Sequence, residues 1–455
     1  YVKNVGGPML KRKIDNVLEE WKNREHNPLI IRGARQIGKT TSIMEFAKKN
    51  YESVIEINFI SNPEYTRIFR NGFSVDSIVL ELSILNSNLK FIPGKTLIFF
   101  DEVQEYMDAT TSLKFFALDK RFDVICSGSC PIKNDASIGY KKDITLYSLD
   151  FEEFLWAKGY EDNIINSLFN NVLDLKPYSD LVLDKMNSLF MEYILVGGMP
   201  KIVSTYIEQG NYSGIPNRQN QLYQDYLDDI RKYVEGLDAS RVENMYLHVA
   251  SQLGKDNPKF QITKLGHGAR ANQYEGCAQW LSDAGVVNIC YCLNSLTLPL
   301  KGNENPNNYR LYFADTSLLI ASMDEESRKD LLVSKNLGVY KGALYENFAA
   351  EALMKQGYEL FFYRSEDSRT ELDFLIRLKD SIVPIEIKAN KGSARSLNAV
   401  IEDKKIDEIK YGIKFSNNNI GVANNMLTLP FFTLFMLKSV ITNMKDTKFE
   451  EFVRC

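Results

Sequence analysis

The fold of this chain is set by one stretch, Gly33-Ala34-Arg35-Gln36-Ile37-Gly38-Lys39-Thr40, which fills every fixed position of the pattern G-x-x-x-x-G-K-S/T. The apolar run Leu29-Ile30-Ile31 leads into it, and a helical pattern continues from Lys39 to about Lys49. A strand, a glycine loop and a helix in this order predict a phosphate-binding loop. Its backbone N–H groups turn inward around phosphates, and the helix presents its positive N-terminus to them.

The polar positions of this loop have predicted roles. We expect Lys39 to reach the β- and γ-phosphates of a nucleotide, and the hydroxyl of Thr40 to bind Mg²⁺. The nucleotide-binding residues predicted from the loop are Gly33, Arg35, Gln36, Gly38, Lys39, Thr40 and Thr41. The predicted ligands are therefore a nucleoside triphosphate and Mg²⁺.

A second motif lies further along the chain, at Leu97-Ile98-Phe99-Phe100-Asp101-Glu102. Its apolar residues predict a buried strand that delivers two carboxylates to the C-terminal edge of a parallel sheet, where ligands bind. We expect Asp101 to hold Mg²⁺ through water and Glu102 to polarise the attacking water. The next strand ends in Ser127-Gly128-Ser129, where we choose Ser129 as a sensor of the γ-phosphate. The alternative is a plain strand-ending turn.

The composition is that of a globular protein, with 44% hydrophobic residues, 25% charged residues and a formal net charge of -4. This charge provides no general basic field for nucleic acid, although it leaves room for a local patch. Six cysteines in 455 residues do not indicate a disulfide framework, and no run reaches the ~20 apolar residues of a membrane helix. We therefore expect a reduced, cytoplasmic protein that does not contact a membrane.

With these motifs, the sequence resembles the bacterial and archaeal AAA-like (AAA_14-type) P-loop ATPases that carry a C-terminal domain of unknown function, DUF4143. The segments that carry the resemblance are Gly33–Thr41, Leu97–Glu102, Gly128-Ser129, Leu149–Phe154, Tyr193–Pro200, Leu311–Leu318 and Gly342–Phe348. The resemblance implies an AAA-like ATPase domain over residues 1–155 and ATP as the nucleotide.

The sequence departs from this family just after the sensor strand. The family has Gly-Arg there, whereas this chain has Gly139-Tyr140-Lys141-Lys142, and no arginine occurs between Arg121 and Arg218. A stabilising arginine finger accelerates hydrolysis by ~10³–10⁵ in well-studied NTPases. Lysine lacks the bidentate fork of arginine. The departure predicts slow hydrolysis, or a finger supplied by another subunit or a later domain.

The middle of the chain is predicted to contain a helical lid over residues 156–240 and a winged-helix module over residues 241–335. Three short helices are expected at 243–253, 262–270 and 272–284, followed by a hairpin of Val286–Leu293 and Tyr309–Phe313. Such modules place a helix in a DNA groove. Because basic residues are few here, a winged helix used for packing or protein contact stays an open alternative.

Four polar residues predict a second site in the segment 336–455. Glu346 lies on a predicted helix, Asp373 on a strand, and Glu386 with Lys388 on one face of the next strand. Asp373 and Glu386 could share a Mg²⁺ ion, and Lys388 would position water or stabilise charge on a scissile phosphate. This arrangement resembles the PD-(D/E)xK nuclease fold, with Glu346 as an extra acid. The alternative is a salt-bridged strand pair without chemistry.

The sequence as a whole predicts an α/β protein with a parallel P-loop sheet, a helical lid, a winged-helix module and a nuclease-like C-terminal domain. Three functions stay open. ATP turnover could gate a nuclease, or the protein could be an ATP-dependent switch that binds DNA, RNA or a protein partner without cutting. In the third, the C-terminal half is an oligomerisation or regulatory scaffold whose fold ATP stabilises.

Overall fold

The computed structural model describes residues 10–129, 138–254, 259–334, 340–367, 369–389, 394–403 and 405–444. The chain forms two compact units. The first comprises residues 10–148 together with 283–285, and the second comprises residues 149–282 and the chain from residue 286 onward. Each unit combines helices with its own β-sheet, which confirms the predicted α/β class.

The first unit is built on a five-stranded sheet in which every neighbouring pair of strands is parallel. The strands are β1 Leu29–Arg32, β2 Ser53–Asn58, β3 Thr96–Asp101, β4 Asp123–Gly128 and β5 Lys142–Thr145, in the order β2-β3-β4-β1-β5. The helices are α1 Lys13–Arg24, α2 Lys39–Asn50, α3 Val75–Leu85 and α4 Asp108–Asp119. Because the strands share one direction, their carboxyl ends meet at one edge, where ligands bind in such sheets.

The central strands of this sheet are apolar on both faces, as parallel strands covered by helices require. All residues of β3 are buried, and Ile98 and Phe100 share a core with Ile55 and Ile57 of β2. The structure confirms the buried strand predicted to lead to Asp101 and Glu102, which is β3, and the next strand predicted to end at Ser127-Gly128-Ser129, which is β4.

The second unit contains helices before, between and after its strands, and only the last residue of one of them, Asp283, belongs to the first unit. The helices are α5 Phe151–Ala157, α6 Asp162–Leu173, α7 Asp180–Val196, α8 Pro200–Gln209, α9 Ile215–Tyr233, α10 Ala239–Leu253, α11 Cys277–Asp283, α12 Thr316–Ala321, α13 Glu325–Ser334, α14 Lys341–Lys355, α15 Arg395–Glu402 and α16 Leu437–Asn443. The helical character predicted for residues 156–240 is confirmed by α6 to α9. None of the helices in the described ranges has the length and hydropathy of a membrane span.

An eight-stranded mixed sheet completes the second unit. Its strands are β6 Val287–Leu293, β7 Glu304–Phe313, β8 Leu360–Arg364, β9 Glu371–Leu378, β10 Ser381–Lys388, β11 Gly412–Ser416, β12 Gly421–Ala423 and β13 Met426–Pro430, in the order β12-β13-β11-β10-β9-β8-β6-β7. The hairpin predicted as a wing, β6 with β7, joins this sheet because β6 pairs in parallel with β8. The predicted boundary between residues 335 and 336 therefore assigns strands of one sheet to two different domains.

The segment before this hairpin differs from the three helices predicted there. The first matches α10, but residues 262–264 and 271–273 form single 3₁₀ turns before α11. Gly268 and Gly276 both have a φ of 78°, a left-handed conformation that ends helices. The helix predicted over residues 262–270 is therefore wrong.

The chain enters the second unit through Leu149, whose backbone is held by α14 and its neighbours. The N–H of Leu149 donates to the Gly198 carbonyl at 2.7 Å. Its carbonyl accepts from the Tyr193 hydroxyl at 2.7 Å and from Lys355 Nζ at 2.9 Å. Lys355 also pairs with the buried Glu351 at 2.6 Å. The entering chain is thus fixed to α14 by a buried polar network.

Gly198 leaves no room for a side chain in this network, since a Cβ atom would lie 2.0 Å from the carbonyl oxygen of Leu149. We expect Gly198→Ala to lower the free energy of unfolding by about 2–3 kcal/mol, because the two backbone segments must move apart. Urea denaturation followed by circular dichroism measures this loss.

The matched control is Gly342→Ala on α14, where a Cβ atom would meet nothing within 4 Å. Alanine is the better helix former, so this variant should be neutral or slightly stabilised. Equal denaturation midpoints for the two variants would contradict the tight approach of Gly198 to Leu149.

Candidate functional site

The phosphate loop begins where β1 ends and depends on two glycines. Gly33 has a φ of 150°, and a Cβ atom there would lie 2.2 Å from the carbonyl oxygen of Leu146. Gly38 has a φ of 90° and is the N-cap of α2. Gln36, between them, is also left-handed with a φ of 62°. The loop can therefore turn tightly enough to bring its backbone N–H groups to the N-terminus of α2.

The lysine of the loop lies folded against the loop's own backbone. Lys39 is buried, and its Nζ donates to the carbonyls of Gly33 at 3.0 Å and Ala34 at 2.8 Å. Arg35 is half-buried, whereas Gln36 and Thr41 are exposed. The structure thus brings Lys39 and the two glycines together. The nucleotide contacts predicted for all of the loop residues stay predictions.

Asp101 is the centre of the site at the carboxyl edge of the sheet. Both of its carboxylate oxygens accept from the Thr40 hydroxyl at 3.2 Å. Asn58 Nδ2, at the end of β2, donates at 3.0 Å, and the Ser127 hydroxyl of β4 donates as well. Burial raises the pKa of Asp101, while hydrogen bonds from Ser127, Asn58 and Thr40 lower it and Glu102 raises it further. The hydrogen bonds favour the ionised form that a metal ligand requires.

The neighbouring carboxylate, Glu102, belongs to a second group of polar side chains. Its backbone is left-handed with a φ of 56°, a conformation found at functional sites when it occurs outside glycine. Its carboxylate accepts from the Ser129 hydroxyl at 3.2 Å and from the Gln104 amide. Gln104 also accepts from the N–H of Ser129 at 3.2 Å. The two serines therefore serve different carboxylates, Ser127 contacting Asp101 and Ser129 contacting Glu102.

Sequence reasoning missed three members of the site, namely Asn58, Gln104 and Ser127. Asn58 is paired in register with Asp101, so it reaches the carboxylate only because β2 and β3 are neighbours. Gln104 is two residues beyond Glu102 and could have been found as the polar residue that follows the acidic pair. Ser127 was visible in the sequence, but its side chain meets Asp101 only through the pairing of β3 with β4.

The two lysines that replace the family's Gly-Arg lie at and just before β5. Lys141 pairs with Asp143 at 2.6 Å, and Lys142 pairs with Glu25 at 2.8 Å. Both carboxylates lie outside the phosphate loop. These contacts give neither lysine the role of an arginine finger.

The hydroxyl of Thr40 and the carboxylate of Asp101 are hard oxygen donors, which is the donor set that Mg²⁺ prefers. They contact each other directly at 3.2 Å, beside the glycine loop. The residues present therefore fit a magnesium ion bound together with a nucleotide phosphate.

The four residues of the predicted C-terminal site lie on α14, β9 and β10. Glu386 Oε1 pairs with Lys388 Nζ at 2.5 Å, and Asp373 accepts from the backbone N–H of Ile387 at 2.8 Å. Burial, and then the charge of Asp373, raise the pKa of Glu346 to about 7 and that of Glu386 to about 8. These pKa shifts indicate that the three carboxylates share one electrostatic environment.

The second oxygen of Glu386 is buried and has no hydrogen-bond partner. Within the described ranges, however, no three His, Cys, Asp or Glu side chains are grouped so that they could hold a metal ion. The arrangement is therefore a buried acidic cluster with one unsatisfied oxygen, and the predicted metal site stays a prediction.

Sequence reasoning missed the arginine of this cluster. Arg310, on β7, is fully buried and pairs with Glu371, and its Nη1 lies 3.8 Å from Glu346 Oε2. Its guanidinium stacks over the Phe362 ring at 4.1 Å. The Tyr312 hydroxyl, on the same strand, donates to Glu346 at 3.2 Å. The hairpin predicted as a wing thus contributes side chains to the C-terminal cluster.

Three family models match the chain. An AAA domain matches residues 25–155, a domain of unknown function (DUF8612) matches residues 187–329, and another (DUF4143) matches residues 341–433. The DUF8612 match runs across the predicted boundary between the helical lid and the winged-helix module at residues 240 and 241. One family unit therefore covers parts of both predicted segments.

The individual proteins that resemble this chain either match only a short segment of it or have low sequence identity. A UPF0102 protein of Rhizobium etli is 35% identical over 72 residues, which are 16% of this chain and 59% of that protein, so the chain spans less than two thirds of its length. The Walker-type ATPase PABY2304 of Pyrococcus abyssi is 12% identical with a TM-score of 0.43, over 69% of this chain and 96% of that one.

Two further solved structures are similar at a lower level. The RuvB Holliday junction branch migration motor of Thermotoga maritima is 12% identical with a TM-score of 0.30, over 71% of this chain and 95% of that one. AMPPCP-bound DnaA of Aquifex aeolicus is 13% identical with a TM-score of 0.27, over 59% and 85%. These TM-scores lie below 0.5, so the assignment rests on the phosphate loop, the parallel sheet and the family models.

A parallel sheet, a complete phosphate loop and the AAA-domain match define the first unit as a P-loop domain of the AAA type. The DUF4143 match adds the C-terminal part. The chain thus combines an AAA-domain match with a C-terminal DUF4143 match, which confirms the resemblance drawn from the sequence.

Burial of Glu386 predicts a pH-dependent stability, since its pKa rises from 4.5 to about 8 on folding. A carboxyl with a raised pKa stabilises the folded state below its unfolded pKa, and this stabilisation is lost as the pH rises through the folded pKa. Glutamine does not titrate. We therefore expect the free energy of unfolding to fall less between about pH 5 and pH 8 in Glu386→Gln than in the wild type, by on the order of 1–3 kcal/mol. Thermal denaturation at both pH values measures it.

The control for this experiment is Glu359→Gln, at a carboxylate that is 59% exposed. It should change the melting temperature equally at both pH values. A Glu386→Gln variant that gains nothing over the wild type at the higher pH would contradict the burial of this carboxylate.

Proposed function

We propose that the first unit binds ATP with Mg²⁺ and hydrolyses the ATP. The observation that carries this proposal is the direct contact of the Thr40 hydroxyl with both carboxylate oxygens of Asp101 at 3.2 Å. It joins the phosphate loop to the acidic strand at the point where a metal ion bound to phosphate would need ligands from both. ATP is preferred over other nucleotides on the strength of the family resemblance.

Each residue of the site has a separate proposed role in ATP hydrolysis. The backbone N–H groups of the glycine loop and the ammonium of Lys39 would bind the phosphates. Thr40 and Asp101 would hold Mg²⁺, which neutralises charge that develops on the phosphate oxygens. Glu102 would orient the attacking water, and Ser129 with Gln104 would hold Glu102 in place through their hydrogen bonds.

We propose further that nucleotide binding controls the C-terminal part, which acts on nucleic acid or on a protein partner. The support is the position of Leu149. This residue follows the first unit directly in sequence, and its carbonyl accepts from Lys355 of α14. The same helix carries Glu346 of the acidic cluster. A shift of the backbone at Leu149 would therefore move the helix that positions Glu346.

Hydrolysis and binding can be separated with two variants. We expect Glu102→Gln to keep ATP affinity within about threefold of the wild type while lowering kcat by ~10²-fold or more, the usual size of a lost general base. Lys39→Ala should lose ATP affinity itself, because it removes a phosphate ligand. Phosphate release and the binding of a fluorescent ATP analogue measure the two properties.

The matched control is Glu105→Gln, at an exposed carboxylate on the same loop. It should retain full activity. Hydrolysis by Glu102→Gln at the wild-type rate would exclude Glu102 as the residue that activates water, even if ATP binding is preserved.

A second candidate function is metal-dependent cleavage of nucleic acid by the C-terminal cluster. The observation that favours it is the buried, unsatisfied Oε2 of Glu386, whose carboxyl has its pKa raised by the nearby charges of Asp373 and Glu346. An oxygen that is buried without a donor is costly, and a cation would satisfy it. Cleavage is not required for the first proposal, because a binding switch would use the same ATP site.

Incubation of supercoiled plasmid or single-stranded DNA with Mg²⁺ or Mn²⁺ tests this candidate. If the cluster cuts, Asp373→Asn should reduce nicking at least ~10²-fold, because the carboxylate would be a metal ligand. Asp380→Asn, in the exposed turn between β9 and β10, is the control and should cut normally. DNA that stays intact with both metals would exclude the nuclease and leave a binding function.

A further inference from the structure

An arginine outside every motif discussed so far reaches the phosphate loop. Arg12 is the N-cap residue of α1, and its side chain is 95% buried, since only 5% remains exposed. Its Nη1 donates to the backbone carbonyl of Ile37 at 3.0 Å, and its Nη2 donates to the backbone carbonyl of Tyr147 at 2.7 Å. Ile37 precedes Gly38 in the phosphate loop, and Tyr147 lies just beyond β5.

The contact with Ile37 fixes the direction of one peptide group in the loop. A peptide bond is planar and trans, so the carbonyl of Ile37 and the N–H of Gly38 point in opposite directions. When Arg12 holds that carbonyl on the outside of the loop, the N–H of Gly38 is aimed to the opposite side. In a phosphate loop, the backbone N–H groups must face the phosphates, and their carbonyls must therefore face away.

The contact with Tyr147 connects the same loop to a second support. The carbonyl oxygen of Leu146 would lie 2.2 Å from a Cβ atom on Gly33, and the N–H of Leu146 donates to the Arg32 carbonyl at 2.8 Å. Leu146 therefore contacts the start of the loop directly. Tyr147 is connected to Ile37 near the end of the loop through Arg12, so both parts of the loop are supported by two adjacent residues.

We propose that Arg12 is a positioning residue for nucleotide binding, which holds the Ile37–Gly38 peptide in the orientation that binds phosphate. This inference rests on the proposed function, since it needs an ATP site to act on. An arginine suits the role because its planar fork places two N–H donors on two separate carbonyls, whereas a lysine ammonium is a compact point charge. Arg12 does not touch the nucleotide in this account and acts only through the backbone.

The test compares the thermal stabilisation that MgATP gives to the wild type, Arg12→Met, Arg12→Lys and Arg24→Met. Arg24 is an exposed arginine on the same helix, so Arg24→Met is the matched control. Stabilisation by a ligand follows its concentration relative to Kd. A positioning role reduces this MgATP-induced rise in Tm, whereas a purely structural role lowers the Tm without nucleotide and leaves the rise unchanged.

We expect Arg12→Met to weaken MgATP binding by about tenfold to a hundredfold, the loss that goes with one or two charge-assisted hydrogen bonds. Arg12→Lys should bind more weakly than the wild type, and Arg24→Met should match it. If Arg12→Met does not fold, the MgATP-induced rise in Tm of Arg12→Lys serves as the test of the positioning role. If the folded Arg12 variants show the same MgATP-induced rise in Tm as the wild type, the positioning role of Arg12 is overturned, while the proposed ATP binding stands. A wild type that MgATP does not stabilise would overturn the proposed function, and the inference with it.

Discussion

A buried carboxylate at the edge of a parallel sheet needs hydrogen-bond donors, and Asp101 obtains them from three other elements. The Thr40 hydroxyl belongs to α2, Asn58 ends β2, and Ser127 ends β4. Burial alone would favour the neutral acid, whereas these donors favour the ion. The order of the strands determines which donors reach Asp101. Because β3 lies between β2 and β4, Asn58 and Ser127 both lie next to this carboxylate. The same edge receives the phosphate loop from β1, so the architecture of the first unit serves one charged centre.

The second unit holds its charges differently. Arg310 is buried beside Glu346 and Glu371, two partly exposed acids that compensate its charge. Removing these acids would leave a buried guanidinium uncompensated, which is costly. The helix α14 joins this cluster to the entry point of the unit, with Glu346 near its start and Lys355 at its end. The proposed control of the C-terminal part by nucleotide binding would act through this helix, because Lys355 donates to the Leu149 carbonyl at one end and Glu346 lies near the other.

The sequence predicted those parts of the site that a local pattern encodes. The phosphate loop, Asp101 and Glu102 are adjacent to strands whose apolar runs are unmistakable, and the structure brings Thr40 and Asp101 together as expected. Asn58 and Arg310 could not be predicted, because their contacts depend on which strands become neighbours. The helix expected at residues 262–270 does not form, because the segment contains Gly266 and Gly268, and Gly268 adopts a left-handed conformation. The wing hairpin was recognised as a hairpin, but its pairing with β8 is a long-range contact that no local pattern reveals.

The central claim is that Asp101 and Thr40 form a magnesium site that belongs to bound ATP. An isothermal titration of the wild type and of Asp101→Asn with ATP, with Mg²⁺ present and with Mg²⁺ chelated, tests it most directly. The account predicts that Mg²⁺ strengthens ATP binding by the wild type and that this strengthening largely disappears in Asp101→Asn, which keeps the shape of the side chain but loses its charge. Equal ATP affinity with and without Mg²⁺ in the wild type, or the same magnesium dependence in both proteins, would contradict it.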